Sequence, residues 1–252
     1  MRKFLLACAL AALPLAANAT LQLSGSVVGG GTFNFTATDN NVGSHTLTDT
    51  DPTLNILQLG TTTIDGVVFN GSFTTALLAG PFELNSSSIS IANTNPFPVT
   101  LTGVASATNF IGPANSVSVS GSGTFQNAPG GTMSNSWWDD PANAQGAPGT
   151  PGGLVFNSAP FTAAGSPSSY GGAGFSFTGP VNDPSAFSQT FSFTATLPAG
   201  SGACLTGSVV ACPTIVGRQQ ASEKIGVPEP PALGILGMAL LSLGLITRRR
   251  SA

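Results

Sequence analysis

Most of this chain alternates apolar with small polar residues, a period of two instead of the 3.6 of a helix. The clearest stretch is 187–197. There Phe187, Phe191, Phe193, Ala195 and Leu197 share one parity, and Ser188, Thr190, Ser192, Thr194 and Thr196 the other. Successive side chains on a strand point to opposite faces, so the segment predicts a half-buried β-strand. A one-residue slip would turn every phenylalanine to water. Phe33, Phe35 and Ala37 repeat the pattern, as do Val117, Val119 and Phe125, which share their parity with Gly121 and Gly123. Apolar clusters also occur at Leu54, Ile56, Leu57 and Leu59, at Val67, Val68, Phe69 and Phe73, at Ile89 and Ile91, and at Val99, Leu101 and Val104. Many short strands with turns between them predict an all-β fold, an antiparallel β-sandwich-like single domain over residues 20–214.

Two regions interrupt the pattern. Residues 127–153 are rich in Gly, Pro and Asn on either side of Ser136-Trp137-Trp138-Asp139-Asp140-Pro141. They read as a long irregular loop, a kind of segment that often carries function. From 215 to 226 the strand signal fades, and Arg218 and Lys224 appear, which reads as a linker or short helix leading away from the domain.

The ends follow different rules. Arg2 and Lys3 precede an apolar stretch, 4–15, and then Ala17-Asn18-Ala19. A positive start, a short apolar run and a small-x-small site make a secretory signal peptide over 1–19, with cleavage expected after Ala19. Near the other end, Val227-Pro228-Glu229-Pro230-Pro231 is followed by fifteen uncharged residues, 232–246, and then by Arg248-Arg249-Arg250. Fifteen helical residues rise roughly 22 Å; flanking residues and snorkelling arginines extend this toward the roughly 30 Å hydrocarbon core. A membrane helix is therefore expected over 231–247. The arginines resist transfer and act as a cytoplasmic stop, which leaves the body of the chain outside. The prolines keep the segment before the helix extended and accessible.

In these residues, the Val227-Pro228-Glu229-Pro230 motif, the Leu/Gly/Ala-rich run and the arginine cluster, the chain resembles the PEP-CTERM sorting signal of Gram-negative bacteria. The resemblance covers residues 227–252 and does not extend to 20–226. It implies that an exosortase, an integral-membrane cysteine protease, recognises Pro228, Glu229 and Pro230. The protease would remove the helix and arginines and deliver the mature protein to the cell surface or medium. It also implies an association with exopolysaccharide and biofilm systems.

Charge narrows the partners. Residues 20–226 hold two basic and nine acidic side chains, a net charge of −7. Nucleic-acid binding needs cations to displace counterions from phosphates, so a nucleic-acid partner is excluded. Gly, Ser, Thr and Asn favour strands and turns over helices. The chain's sixteen phenylalanines argue for a packed core against disorder. After leader removal two cysteines are left, Cys204 and Cys212, and in an oxidising compartment they are expected to form a disulfide.

Candidate chemistry is sparse. His45, the sole histidine, lies in a polar stretch with no Gly-x-Ser-x-Gly motif to supply a nucleophile, and reads as a solvated side chain. Glu83, Asp139 and Asp140 could in principle supply a glycosidase carboxylate pair, but sequence spacing does not place them together. Asp39-Asn40-Asn41 and Asp49-Thr50-Asp51 offer oxygen ligands without EF-hand spacing and read as turns. No metal, cofactor or catalytic residue is expected. Trp137, Trp138, Asp139 and Asp140 are the candidate glycan contacts, since sugar rings stack on indoles while their hydroxyls bond carboxylates. The preferred reading has one or both tryptophans plugging the end of the sandwich, with the indole N–H finding a partner. The leading expectation is an exported, non-enzymatic, exosortase-processed structural protein of the cell surface or extracellular matrix. The alternative is a carbohydrate-binding module that uses Trp137 and Trp138 on exopolysaccharide.

Overall fold

The computed structural model describes residues 20–39, 47–76, 82–146, 152–171, 175–183 and 185–224. In chain order the strands are β1 Gln22–Val28, β2 Thr32–Thr38, β3 Ile56–Ile64, β4 Val67–Ala76, β5 Phe82–Asn93, β6 Val99–Ile111 and β7 Ala114–Gln126. They continue with β8 Thr132–Asp140, β9 Gly153–Asn157, β10 Phe161–Thr162, β11 Ser168–Tyr170, β12 Ser176–Asp183, β13 Ala186–Leu197 and β14 Thr214–Lys224. They form two seven-stranded sheets, antiparallel throughout. The first has the order β10-β8-β13-β6-β1-β2, with β9 also on β8. The second has the order β11-β7-β14-β5-β4-β3, with β12 also on β7. The inward faces of both sheets merge into one apolar core, so the all-β sandwich expected from the alternation is the observed architecture.

The best-patterned segment behaves as its sequence dictates. On β13, Phe187, Phe191, Phe193, Ala195 and Leu197 are all buried. Across the first sheet, Phe35, Gly25, Gly103 and Phe193 occupy one row of neighbouring strands. A Cβ at Gly103 would overlap the Phe193 ring, and one at Gly25 would overlap the Thr102 carbonyl and crowd the Phe35 ring. Two flanking aromatics thus lie down over the central pair of glycines. The second sheet repeats the device, with Tyr170 lying over Gly123 and Gly217.

Ser188 and Thr190, on the polar parity of β13, are also buried. The chain leaving β8 crosses them: Ser188 Oγ donates to the Ala144 carbonyl at 2.6 Å, and the Gly146 N–H donates to Ser106 Oγ at 2.7 Å. Between β13 and β14, the Cys204–Cys212 disulfide, whose Cα atoms are 4.7 Å apart, packs against Ala92.

Two sequence expectations need correction. The interval 127–153 is not one irregular loop, because residues 132–140 form β8, which pairs with β13 over nine positions. Residues 215–224, read as linker or short helix, instead form most of β14, which lies in the middle of the second sheet between β7 and β5. Both strands escaped notice for one reason: some of their inward positions are polar. Among the described residues the helices are two 3-10 turns, Gly202–Cys204 and Val209–Ala211, and no helix is long and apolar enough to cross a membrane. Residues 1–19, including Ala17 and Ala19, and residues 225–252, including the sorting motif, the predicted helix and Arg248, Arg249 and Arg250, lie outside the described residues, as does His45.

Candidate functional site

β8 divides the Trp-Trp-Asp-Asp run between two faces. Met133, Asn135, Trp137 and Asp139 are buried on the inward parity, whereas Trp138 is half-buried on the outward one. Trp137 is a core residue opposite Phe191 and is closed to any glycan. That removes Trp137 from the candidate sugar contacts and agrees with the plug reading. Asp140 closes the turn after β8: Oδ1 accepts from the Ala142 N–H at 2.9 Å and Oδ2 from the Ala144 N–H at 3.0 Å. It too is buried, which leaves Trp138 as the half-buried member of the Trp-Trp-Asp-Asp run.

Asp139 belongs to a group that sequence reasoning missed. Its carboxyl meets those of Asp183, at the end of β12, and Glu223, near the end of β14, with one oxygen from each within 4.8 Å of the others. Asp139 comes from the first sheet and the other two from the second, so the three converge across the core. Glu223 sits between Phe82 and Val117 in its sheet, and Phe82 packs edge-on against Phe187 at 5.5 Å. The surroundings are therefore apolar. Asp183 and Glu223 are essentially inaccessible and Asp139 is 8% exposed. No amide, hydroxyl or basic group reaches either oxygen of Asp183, either oxygen of Glu223, or Asp139 Oδ1. Among the described residues the basic side chains are Arg218 and Lys224, and both are exposed.

Burial without a countercharge penalises the ionised form. Desolvation, followed by the repulsion of Asp139 and Asp183, pushes Glu223 up to about 10. Desolvation and the charge of Asp183 push Asp139 up to about 7. Asp183 is also raised by burial, but it is pulled back by accepting hydrogen bonds from the carboxyls of Glu223 and Asp139. Left to themselves, the three carboxyls hold protons between them.

Gln189 completes the surroundings. It is the ladder partner of Asp139 and is fully buried, and its Nε2 donates to the Phe82 carbonyl at 3.2 Å. Phe82 in turn neighbours Glu223. The Gln189 amide thus spans from Asp139 toward Glu223, and its Oε1 has no donor.

The other sequence candidates are turn formers. Asp39 Oδ2 accepts from the Asn55 N–H at 2.6 Å, Asp49 Oδ1 from the N–H groups of Asp51 and Gln58, each at 3.0 Å, and Asp51 Oδ1 from the Thr53 N–H at 2.8 Å. Glu83 accepts from Asn85 Nδ2 at 2.9 Å and is not near the carboxyl trio. Reading 132–140 as a strand would have turned Asp139 inward beside Trp137. Nothing local in the sequence points to Asp183 or Glu223, which only the topology brings together.

A second feature lies on the outer face of the second sheet. It is an open polar depression of about 440 Å³ lined by Asn85, Ser87, Ser120, Ser122, Arg218 and Gln220. Arg218 Nε donates there to Ser122 Oγ at 3.3 Å.

No family model and no curated protein matches the chain. Among solved structures, one from work on the promiscuous specificity of carbohydrate-binding modules of the beta-sandwich superfamily is 13% identical, over 81% of this chain and 75% of that one, with a TM-score of 0.31. The infectious bursal disease virus structure of the Gx strain is 12% identical over 88% and 71%, with a TM-score of 0.20. An alpha-xylosidase from Xanthomonas citri is 6% identical over 76% and 30%, with a TM-score of 0.18. At these scores none bears on function.

Proposed function

We propose that this chain is an exported, non-enzymatic β-sandwich protein of the cell surface or extracellular matrix, held in the membrane by its C-terminal segment until an exosortase-type protease acts on it. The observation that carries the reading is where the sandwich meets its flanking signals. β1 opens at Gln22, three residues past the expected leader site at Ala19, and β14 runs through Lys224, the last described residue, which is three residues before Val227. Both proposed cleavages therefore spare the sandwich. β14 is a central strand, so any cut upstream of Lys224 would remove ladder hydrogen bonds on both of its sides. The outward parity of β6 and β13 carries threonine pairs, Thr100 with Thr196 and Thr102 with Thr194, a hydroxyl surface suited to a hydrated polysaccharide matrix.

Replacing Pro228→Ala together with Glu229→Ala tests the processing step. The double variant is expected to accumulate uncleaved in membranes of the producing cell. Normal release of the mature form would refute exosortase recognition.

Direct glycan contact is a second reading, and burial of Trp137 moves it elsewhere. The depression containing Arg218 offers hydroxyl and amide partners and one guanidinium, which suits an acidic polysaccharide. Exopolysaccharide pull-down with Arg218→Ala and Trp138→Ala separates the alternatives. Undiminished retention by both variants removes this second reading.

A further inference from the structure

We propose that Asp139, Asp183 and Glu223 form an oxygen-only site for a divalent cation of calcium's class, with Gln189 Oε1 as a neutral fourth donor, and that the ion clamps the two sheets together.

The geometry comes first. Three oxygens no more than 4.8 Å apart share a point no farther than about 2.8 Å from each, and calcium–oxygen bonds run at about 2.3–2.6 Å. Side-chain adjustments of a few tenths of an ångström would complete the contact. Magnesium demands about 2.0–2.1 Å in a near-octahedral shell and gives up water reluctantly, so it fits a dry core less well. Zinc prefers the nitrogen and sulfur ligands that this site lacks.

The second observation is the unmet polar demand around the trio. Buried polar atoms normally have partners, and a buried orphan is costly. No donor from outside the trio reaches five of its carboxyl oxygens, and Oε1 of Gln189, the fully buried ladder partner of Asp139, is equally unmet. Protons can quiet carboxyls, but they give the Gln189 oxygen a partner only if one carboxyl turns to it. A cation meets all of these demands at once. The aspartates of the 39–51 region differ in this respect, because their oxygens already accept backbone N–H groups.

The consequence is mechanical. β8 belongs to one sheet and β12 and β14 to the other, so a shared ion would cross-link the layers at the end of β14, the strand that leads to the sorting motif. Extracellular calcium modules work at about 10⁻⁴–10⁻³ M, and comparable affinity suits an exported domain.

Terbium, a luminescent stand-in for calcium, provides the test. Trp137 precedes Asp139 by two residues on the same inward face, close enough to sensitise a lanthanide held by Asp139. The full chain, purified in detergent and stripped with chelator, is expected to show tryptophan-excited terbium emission. Calcium should displace the terbium more readily than magnesium, and calcium alone should raise the melting temperature. Glu223→Gln and Asp183→Asn should each weaken binding by about tenfold or more. Both should stay folded in chelator, because each replaces a buried carboxyl, whose charged form burial already disfavours, with a neutral amide of nearly the same shape. The absence of sensitised emission together with no calcium-induced thermal shift would overturn the proposal. So would binding undiminished in both variants, which would assign the ions to surface carboxylates. If a variant fails to fold, the emission and thermal shift of the unaltered chain decide the question.

Discussion

Gln219 on β14 donates from Nε2 to Oδ1 of Asn135 on β8, and four residues further along each strand Glu223 and Asp139 bring their carboxyls together. The two strands therefore run in the same sense across the core, in opposite sheets, with polar contacts at two levels. Trp137 and Ala221, both buried, lie between those levels. Breaking one partner of a buried amide pair strands the other. Gln219→Ala is thus expected to lower stability by about 2 kcal/mol. Asn135→Leu combined with Gln219→Leu should recover a large part of that loss, because both orphaned groups disappear. Urea denaturation of the three proteins measures the difference.

The neighbouring tryptophans should respond very differently to truncation. Trp137→Ala removes a fully buried indole and is expected to destabilise by about 3–5 kcal/mol. Trp138 is half-buried on the outward face, and Trp138→Ala should lose about 1 kcal/mol or less. Fluorescence separates the two without ambiguity: the blue-shifted component of the native emission should vanish with Trp137 and survive the loss of Trp138.

Stability should fall with rising pH when divalent cations are chelated. Asp139, at about 7, and Glu223, at about 10, hold protons in the folded chain above the pH at which the unfolded chain releases them, and Asp183 shifts the same way. The folded state thus binds more protons than the unfolded state across that range. The stabilisation is complete below the ordinary carboxyl range, near 4, and is lost as pH climbs through about 7 and on toward 10. Glu223→Gln should flatten the slope of a melting-temperature profile, and calcium should oppose it by taking the place of the protons. A profile that rises from pH 5 to pH 9 in chelator would contradict these assignments.

Loss of the Cys204–Cys212 bond should weaken the sandwich without dismantling it. The bond closes a short loop, with a sequence separation of 8, in the connection from β13 to β14, which passes from one sheet to the other. Chain-entropy reasoning gives about 2–3 kcal/mol for a loop of this size. The Cys204→Ser, Cys212→Ser protein should therefore unfold at lower denaturant concentration with an unchanged slope.

The parts of the fold legible in the sequence were those in which hydrophobicity alone chose the face. β13 is the clearest example: its phenylalanines alternate, and tertiary structure adds only the strap that buries Ser188 and Thr190. β8 and β14 were illegible because their inward positions include Asn135, Asp139, Gln219 and Glu223, whose partners lie on the opposite sheet. A polar residue facing inward looks like a loop residue until its partner is known. The carboxyl trio was hidden for the same reason. It joins residues 139, 183 and 223, which neither spacing nor motif connects. Trp137 and Trp138 were visible as a pair, but their roles depend on the parity of a strand that the surrounding Gly and Pro residues disguised.

Exosortase release of an intact sandwich is decided by mass spectrometry of the protein recovered from the medium or surface of its natural host. The sandwich needs everything from Leu21, fully buried just before β1, through Lys224 at the end of β14. The expected polypeptide begins at Thr20 and ends between Gly226 and Pro230, two mass units below its reduced form. A full-length chain in the soluble cell interior, or an external form whose C-terminus falls inside β14, would contradict it.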